Sequence, residues 1–390
     1  TERQMRHYLD FAATSAVRPP CVAEAVAEFL TACGASPGRG GHSLAIESGR
    51  VVLRCRRAVM KVLRLPGDPG RIAFTFNATH ALNTALWGVL NPRDAVVISQ
   101  YDHNSVLRPV HQLAQSRGVE ERMLCGSPDG AVDLDEASRL LDGARLLVVN
   151  AVSNVLGTRL PLRELAAVAH DAGALVLVDA AQSAGHIPAD HAAEGADLIA
   201  FTGHKGLLGP QGTGGLWVRE GVDVRPLLTG GTGGDSRDRV MPAAMPDHLE
   251  AGTGNAAGMV GLLAGCEHLL ECGVEAVHLR EAALKARLRE GLAAIPGVRL
   301  HSPPAPDGGG LVTMTHKRLD PALLAERLDR DFGVLARSGF HCAPEAHRIL
   351  GTDAIGALRF SVGWCSTEED VEQAIEGVEV VTRQVTVPVS

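Results

Sequence analysis

The sequence predicts an α/β protein: a mainly parallel sheet covered by helices on both faces, followed by a smaller α+β region. Three observations carry this reading. From Arg71 onward, short apolar runs alternate with helical periodicity, the pattern of strands joined by helical crossovers. Polar residues repeatedly follow the C-terminal ends of those runs, where open α/β sheets place their ligands. Beyond about residue 265 the pattern becomes short strands mixed with separate helices.

Residues 1–20 read as an extended entry segment stopped by Arg18-Pro19-Pro20. Residues 22–33 are alanine-rich and periodic, hence helical, and 34–41 form a glycine-dense loop. Helical periodicity resumes over 47–65 and ends before Pro66-Gly67. A strand over 72–76 leads to Asn77-Ala78-Thr79-His80, which opens a helix with capping-type residues. The strand 95–99 is followed by Tyr101-Asp102-His103-Asn104-Ser105, and the strand 146–149 by Ser153-Asn154. A helix over 160–171 precedes a strand, 174–178, that ends at Asp179. Residues 198–201 form a strand stopping at Thr202-Gly203, and 215–218 form another. Residues 229–234 are a glycine-rich break. After Glu250-Ala251-Gly252-Thr253 a helical pattern runs to about residue 294, interrupted near Gly273. In the remainder, 298–301, 311–315, 334–336 and 358–362 read as strands, 321–331 and 367–381 as helices, and 302–310 as a loop.

The 390 residues suffice for two domains and at least one large core. A net charge of −8 argues against nonspecific nucleic-acid binding, and 3% aromatic content against stacking platforms for bases. No apolar run is long enough to span a membrane, and the first ten residues lack a signal-type apolar core, so a cytoplasmic location is expected. The eight cysteines are scattered and form no CxxC pair, which supports neither a zinc site nor a disulfide framework; no metal is expected.

The chemistry centres on Lys205, in Thr202-Gly203-His204-Lys205-Gly206. Just past a strand end, flanked by a hydroxyl and an imidazole, it suits a Schiff base with pyridoxal phosphate (PLP), with Thr202 and His204 facing the phosphate. The alternative is a solvated loop lysine. Asp179, ending an apolar strand, is either a helix cap or the anionic partner a pyridine nitrogen needs. Asn77 to His80 is a plain cap or, through its N–H groups, a phosphate cradle. His103 is a structural histidine or stacks on a cofactor ring. Cys342 is one buried thiol among eight or, with Arg337, His341, Gly339 and Pro344 around it, a turn whose cationic neighbours lower a thiol pKa.

Together these stretches resemble the class V aminotransferase family, PLP enzymes of fold type I, and within it the cysteine desulfurases and selenocysteine lyases. The resemblance runs from Tyr8-Leu9-Asp10-Phe11-Ala12-Ala13-Thr14 through Ser153-Asn154-Val155-Leu156-Gly157-Thr158, the 178–186 and 201–215 blocks and Glu250 to Thr253. It continues over Arg337-Ser338-Gly339-Phe340-His341-Cys342-Ala343-Pro344 to Arg359-Phe360-Ser361. It implies a seven-stranded sheet in a large PLP-binding domain, 21–264, and a small C-terminal domain, 265–390, against which segment 1–20 packs.

It also implies roles. Lys205 would hold PLP covalently, Asp179 would pair with the ring nitrogen and Gln182 with the ring hydroxyl. His103 would stack on the ring and relay protons. Ala78, Thr79, Thr202 and His204 would hold the phosphate. Thr253 would reach the phosphate of the neighbouring subunit's cofactor, making a homodimer with shared sites. Asn154 and Arg359 would bind the amino-acid substrate, Arg359 through its carboxylate. Cys342 would be the sulfur-accepting nucleophile.

Three positions depart from the family pattern: Asn77 in place of glycine, Ala151 in place of histidine, and Gly254 in place of proline. The expected activity is conversion of L-cysteine to L-alanine, with sulfur passing to Cys342 and then to a possible acceptor protein. The alternative is PLP-dependent β-elimination of an S-substituted cysteine, releasing a thiol, pyruvate and ammonia. A non-catalytic sulfur carrier is a rival from another class. No membrane or nucleic-acid partner is expected.

Overall fold

A computed structural model describes residues 6–38, 40–232, 238–304 and 308–385. Parts of the glycine-rich stretches expected as loops (residues 39, 233–234 and 305–307), and the first five residues of the entry segment, lie outside the described residues.

The strands are β1 (His7–Tyr8), β2 (Ile72–Thr75), β3 (Ala95–Ser99), β4 (Glu120–Leu124), β5 (Ala144–Asn150), β6 (Leu175–Asp179), β7 (Leu198–Thr202) and β8 (Gly214–Val218). In the last third come β9 (Val298–Leu300), β10 (Leu311–His316), β11 (Val334–Leu335), β12 (Arg337–Gly339) and β13 (Ala357–Ser361). The helices are α1 (Pro20–Ala32), α2 (Ser43–Val62), α3 (Ala78–Val89), α4 (Asn104–Arg117), α5 (Leu134–Leu141) and α6 (Leu162–Asp171). They continue with α7 (Ala256–Cys272), α8 (Val274–Ala293), α9 (Pro321–Phe332), α10 (Pro344–Leu350) and α11 (Glu368–Val385).

Seven strands form one sheet in the order β2-β8-β7-β6-β5-β3-β4. The run from β4 to β7 is parallel, and β8 lies antiparallel to both its neighbours. This is the mainly parallel α/β sheet that the alternation predicts. The two-residue period of each strand splits its apolar side chains between two cores. Val97, Leu147, Val149, Val176, Val178, Ile199 and Phe201 face α2, α5, α6 and α7. Val96, Ile98, Leu146, Val148, Leu177 and Ala200 face α3 and α4. Burial on both faces explains why these strands read as continuous apolar runs.

A second, four-stranded antiparallel sheet, β12-β13-β10-β9, packs with α8, α9 and α11 around a separate core that includes Val312, Phe360, Leu328 and Val378. The N-terminal segment joins this part: β1 pairs in parallel with β11, Leu9 lies in its core, and His7 Nδ1 meets Asp370 at 2.9 Å. The expected break near Gly273 is the cap shared by α7 and α8, at φ +80°, where the chain bends by 79°. Among the described residues no single helix is long and apolar enough to cross a membrane.

Several elements escaped the sequence reading for identifiable reasons. β4 carries Glu120, Glu121 and Arg122 because it is the sheet's edge, where half the strand faces water. α4 holds Pro109 in its interior, normally a helix breaker. α10 and β12 are short and give no periodic signal.

Candidate active site

The C-terminal ends of β3, β5, β6 and β7 deliver Asp102 and His103, Asn150, Asp179, and Thr202 to Lys205 to one side of the large sheet. They open onto a cavity of about 260 Å³. Its wall includes Ala78, Thr79, His103, Asn154, Asp179, Gln182, Thr202, His204, Lys205 and Arg359. Ten of the sequence-predicted site residues therefore converge. Two do not line it. Cys342 is exposed and follows directly on His341, which does line the cavity. Thr253 lines a different cavity of about 270 Å³, with Phe76, His80 and Glu250.

The lysine loop is glycine-rich for steric reasons. A side chain at Gly206 would overlap the Ala184 carbonyl and the His186 ring, and one at Gly214 would run into the Asn77 backbone. The N-terminal segment locks the loop: Ser15 N–H donates to the His204 carbonyl (2.8 Å) and Ser15 Oγ to the Lys205 carbonyl (2.9 Å). Thr14 Oγ1 sits 3.1 Å from His204 Nδ1.

Lys205 is half-buried and lines the cavity. Burial pushes its pKa down to about 8; Asp179 opposes this, and Arg359 and Arg337 reinforce it. At that pKa about a tenth of the amine is free at pH 7, far more than for an ordinary lysine, and only the free amine is a nucleophile toward a carbonyl. Asp179 is buried and its carboxyl is raised by burial. Its hydrogen-bond partner is the Ala181 N–H, at 2.9 Å on one oxygen. The other oxygen remains for a cationic N–H in the cavity.

His103 caps α4 by accepting from the Ser105 N–H at 3.0 Å through Nδ1, so Nε2 carries the proton. Burial first, then Lys205, lowers it to about 4, which keeps the ring neutral. His103 thus caps α4 and lines the cavity at once. Asn77 caps α3, accepting from the His80 N–H at 2.9 Å, which gives the departure at that position a local reason. It leaves the first N–H groups of α3 facing the cavity. Gln182 Nε2 donates to the Ala12 carbonyl at 3.0 Å. These groups fit PLP: an amine of lowered pKa, a buried carboxyl with an oxygen left for a ring N–H, and helix N–H donors with Thr79 and Thr202 hydroxyls for a phosphate.

On the opposite wall, β12 and β13 pair antiparallel with Arg337 opposite Arg359. Arg359 is buried, donating to the Asn154 carbonyl (3.0 Å) and to Asp10 (2.9 Å), while its Nε–H has no partner. Burial lowers its pKa and Asp10 offsets this. Asn154 Nδ2 donates to the His341 carbonyl at 2.6 Å, and its Oδ1 is buried without a partner. Both residues line the cavity, and each leaves one buried polar atom unpaired, an exception among buried groups.

His341 and Cys342 both take left-handed conformations, φ +49° and +57°, which cost about 1 kcal/mol or more each for residues with a Cβ. One expectation needs correction. His341 does not act as a cationic neighbour of Cys342: burial, then Arg359, pushes it down to about 3, so it is neutral. Arg337 alone supplies positive charge from that group.

The sequence reading gave no site role to Asn150, Asp10 or Asp102. Asn150 ends a buried strand as Asp179 does, in register with it, and that parallel was the available signal. Asp102 is fully buried; one oxygen accepts from the Ser99 N–H at 2.7 Å, and the other has no partner. Burial raises it to about 7.

Comparison with known proteins agrees with this geometry. The model of the family described as aminotransferase class-V matches residues 7–374. A probable cysteine desulfurase of Methanothermobacter thermautotrophicus is 35% identical over 95% of this chain and 94% of its own length. The cysteine desulfurase of Haloferax volcanii is 31% identical over 95% and 88%. Among solved structures, an apo cysteine desulfurase from Thermococcus onnurineus superposes with a TM-score of 0.90 at 33% identity, covering 97% of this chain and 94% of that one. The cysteine desulfurase CsdA from Escherichia coli gives 0.87 at 29% identity, covering 98% and 96%. With the family model matched over residues 7–374 and relatives at 31–35% identity covering nearly the full length, the chain belongs to the class-V aminotransferase family.

Proposed function

We propose that this chain is a PLP-dependent cysteine desulfurase, converting L-cysteine to L-alanine and passing sulfur to Cys342. The single observation that carries the reading is the convergence on one cavity of a lysine with a lowered pKa, a buried aspartate with a free oxygen, and a buried arginine with an unpaired N–H.

Bound PLP supplies an electron sink for the substrate's Cα carbanion. Lys205, Asp179, Gln182, Thr202, His204, Ala78 and Thr79 would hold it, with His103 over the ring. Arg359 and Asn154 orient the substrate, the guanidinium taking its carboxylate. The Lys205 amine removes the Cα proton. The Cys342 thiolate attacks the substrate sulfur: an S–S bond forms, the C–S bond breaks, and its electron pair stays on Cβ, which is protonated; Lys205 then returns a proton to Cα. The products are alanine and a persulfide on Cys342. The exposed position of Cys342 leaves that persulfide open to an acceptor protein.

The proposal includes a homodimer in which Thr253 of one subunit reaches the phosphate site of the other. The separate cavity around Thr253, edged by Phe76 at 58% exposure, supports it. Light scattering of the holoenzyme checks it; a monomer overturns it. The proposal also divides the chain at about residue 265, supported by the separate core of the last third and by the pairing of β1 with β11.

The test is product analysis with L-cysteine and a reductant. Alanine and sulfide support a desulfurase. Pyruvate and sulfide would contradict it and point to β-elimination.

A further inference from the structure

We propose that His347 is a positioning residue for Cys342: with Thr352 behind it, it holds the His341 ring and thereby locks the left-handed turn that presents the thiol. The inference rests on the reading of Cys342 as the sulfur acceptor.

The turn is held from two sides. Outside, Asn154 Nδ2 donates to the His341 carbonyl (2.6 Å) and the Asn104 N–H to the Cys342 carbonyl (2.7 Å). The Ala343 N–H closes the turn onto the Phe340 carbonyl (3.0 Å), and inside it the His341 side chain, 4% exposed, is a further handle. Its Nε2 lies 3.2 Å from the Arg337 carbonyl. A carbonyl only accepts, so Nε2 carries the proton and Nδ1 is an acceptor. Nδ1 lies 3.3 Å from His347 Nε2, which must then be the donor. His347 Nδ1 accepts from Thr352 Oγ1 at 2.7 Å. The donors thus run in one direction, from Thr352 through His347 and His341 to the Arg337 carbonyl.

The two rings lie nearly parallel, at 21° with centroids 5.4 Å apart. Both are neutral: burial places His341 at about 3 and His347 at about 4. A neutral, one-way chain fixes a single tautomer and a single ring orientation. His347 and Thr352 are buried and do not line the cavity, so they act on the chemistry only through the turn. A turn of two strained residues released from its inner anchor relaxes toward ordinary backbone angles, carrying the thiol off its line to the substrate sulfur.

The experiment compares wild-type holoenzyme with His347→Leu, His347→Gln and Thr352→Val. It measures cofactor absorbance, kcat and KM for alanine formation, and amide exchange of the segment carrying Asn104. His347→Leu is expected to keep the absorbance and, within about twofold, the KM, while kcat falls about 10- to 100-fold and Asn104 exchanges faster. His347→Gln, whose amide still donates to His341, recovers most of the rate. Thr352→Val lowers kcat by about three- to tenfold and decides the matter if His347→Leu does not fold. Unchanged kcat with unchanged exchange overturns the proposal, as does a loss in which kcat, KM and absorbance all move together. If the wild type releases pyruvate, the desulfurase reading fails on its own. Exchange then decides this inference alone: faster exchange at Asn104 supports the lock and unchanged exchange overturns it.

Discussion

The two walls of the cavity are built on opposite principles. The Lys205 wall is a row of parallel strand ends, and each functional group there sits where a buried strand runs out of sheet. The Cys342 wall is two short antiparallel strands and a left-handed turn, held by groups from distant parts of the chain. Asn154 grips the turn across 187 residues and Asp10 meets Arg359 across 349. The first wall takes its precision from topology. The second takes it from particular hydrogen bonds, so it is the wall where single substitutions reset geometry without touching the core.

The largest expected effect tests the first wall. Lys205→Ala should lose turnover by roughly 10⁴-fold or more, and with it the absorbance of covalently held cofactor. Retention of both would remove the wall's central group. On the second wall, Arg359→Ala should raise the KM for cysteine about 10- to 100-fold, the worth of a lost charged hydrogen bond, with cofactor absorbance intact. An unchanged KM would assign the carboxylate elsewhere.

A pH experiment sharpens the electrostatics of the first wall. Lys205 reacts only as the free amine, and its pKa is lowered to about 8. The rate at which apoenzyme takes up PLP should therefore rise with pH to a midpoint near 8, far below that of an ordinary lysine. A midpoint above about 10, the ordinary lysine range, would show that the amine is not desolvated.

The smallest effect concerns Asp102. Its folded pKa of about 7 lies above the ordinary value, so the folded state holds a proton that the unfolded chain has released. By linkage this contribution to stability is full below about pH 4 and is lost as pH rises toward 7. Asp102→Asn should flatten that part of the stability profile, measured by urea unfolding between pH 4 and 7. An unaltered slope would mean the carboxyl is not buried as described.

The contrast between the walls also explains what the sequence could reveal. Asp179, Thr202 and Lys205 were legible as candidates because they follow apolar runs at strand ends, although a cap or a solvated lysine reads the same way. The Lys205 loop was legible again through glycines that the close approach of 184–186 requires. Arg359 was legible only through the family resemblance, and Cys342, one thiol of eight, through its neighbours and that resemblance. Asp10, the buried partner of Arg359, and His347, behind His341, were not legible, since nothing local links residues so far apart or so inconspicuous. The β4 edge and α4 were missed because solvent exposure and an interior proline mask their patterns.

The most direct test of the account is a single-turnover experiment on PLP-loaded enzyme with L-cysteine and no reductant, read by mass spectrometry of the peptide carrying Cys342. The account predicts one added sulfur on that peptide, formed with an equivalent of alanine, and neither in Cys342→Ala. Alanine formed at the wild-type rate by Cys342→Ala, with no sulfur on the wild-type peptide, would contradict it.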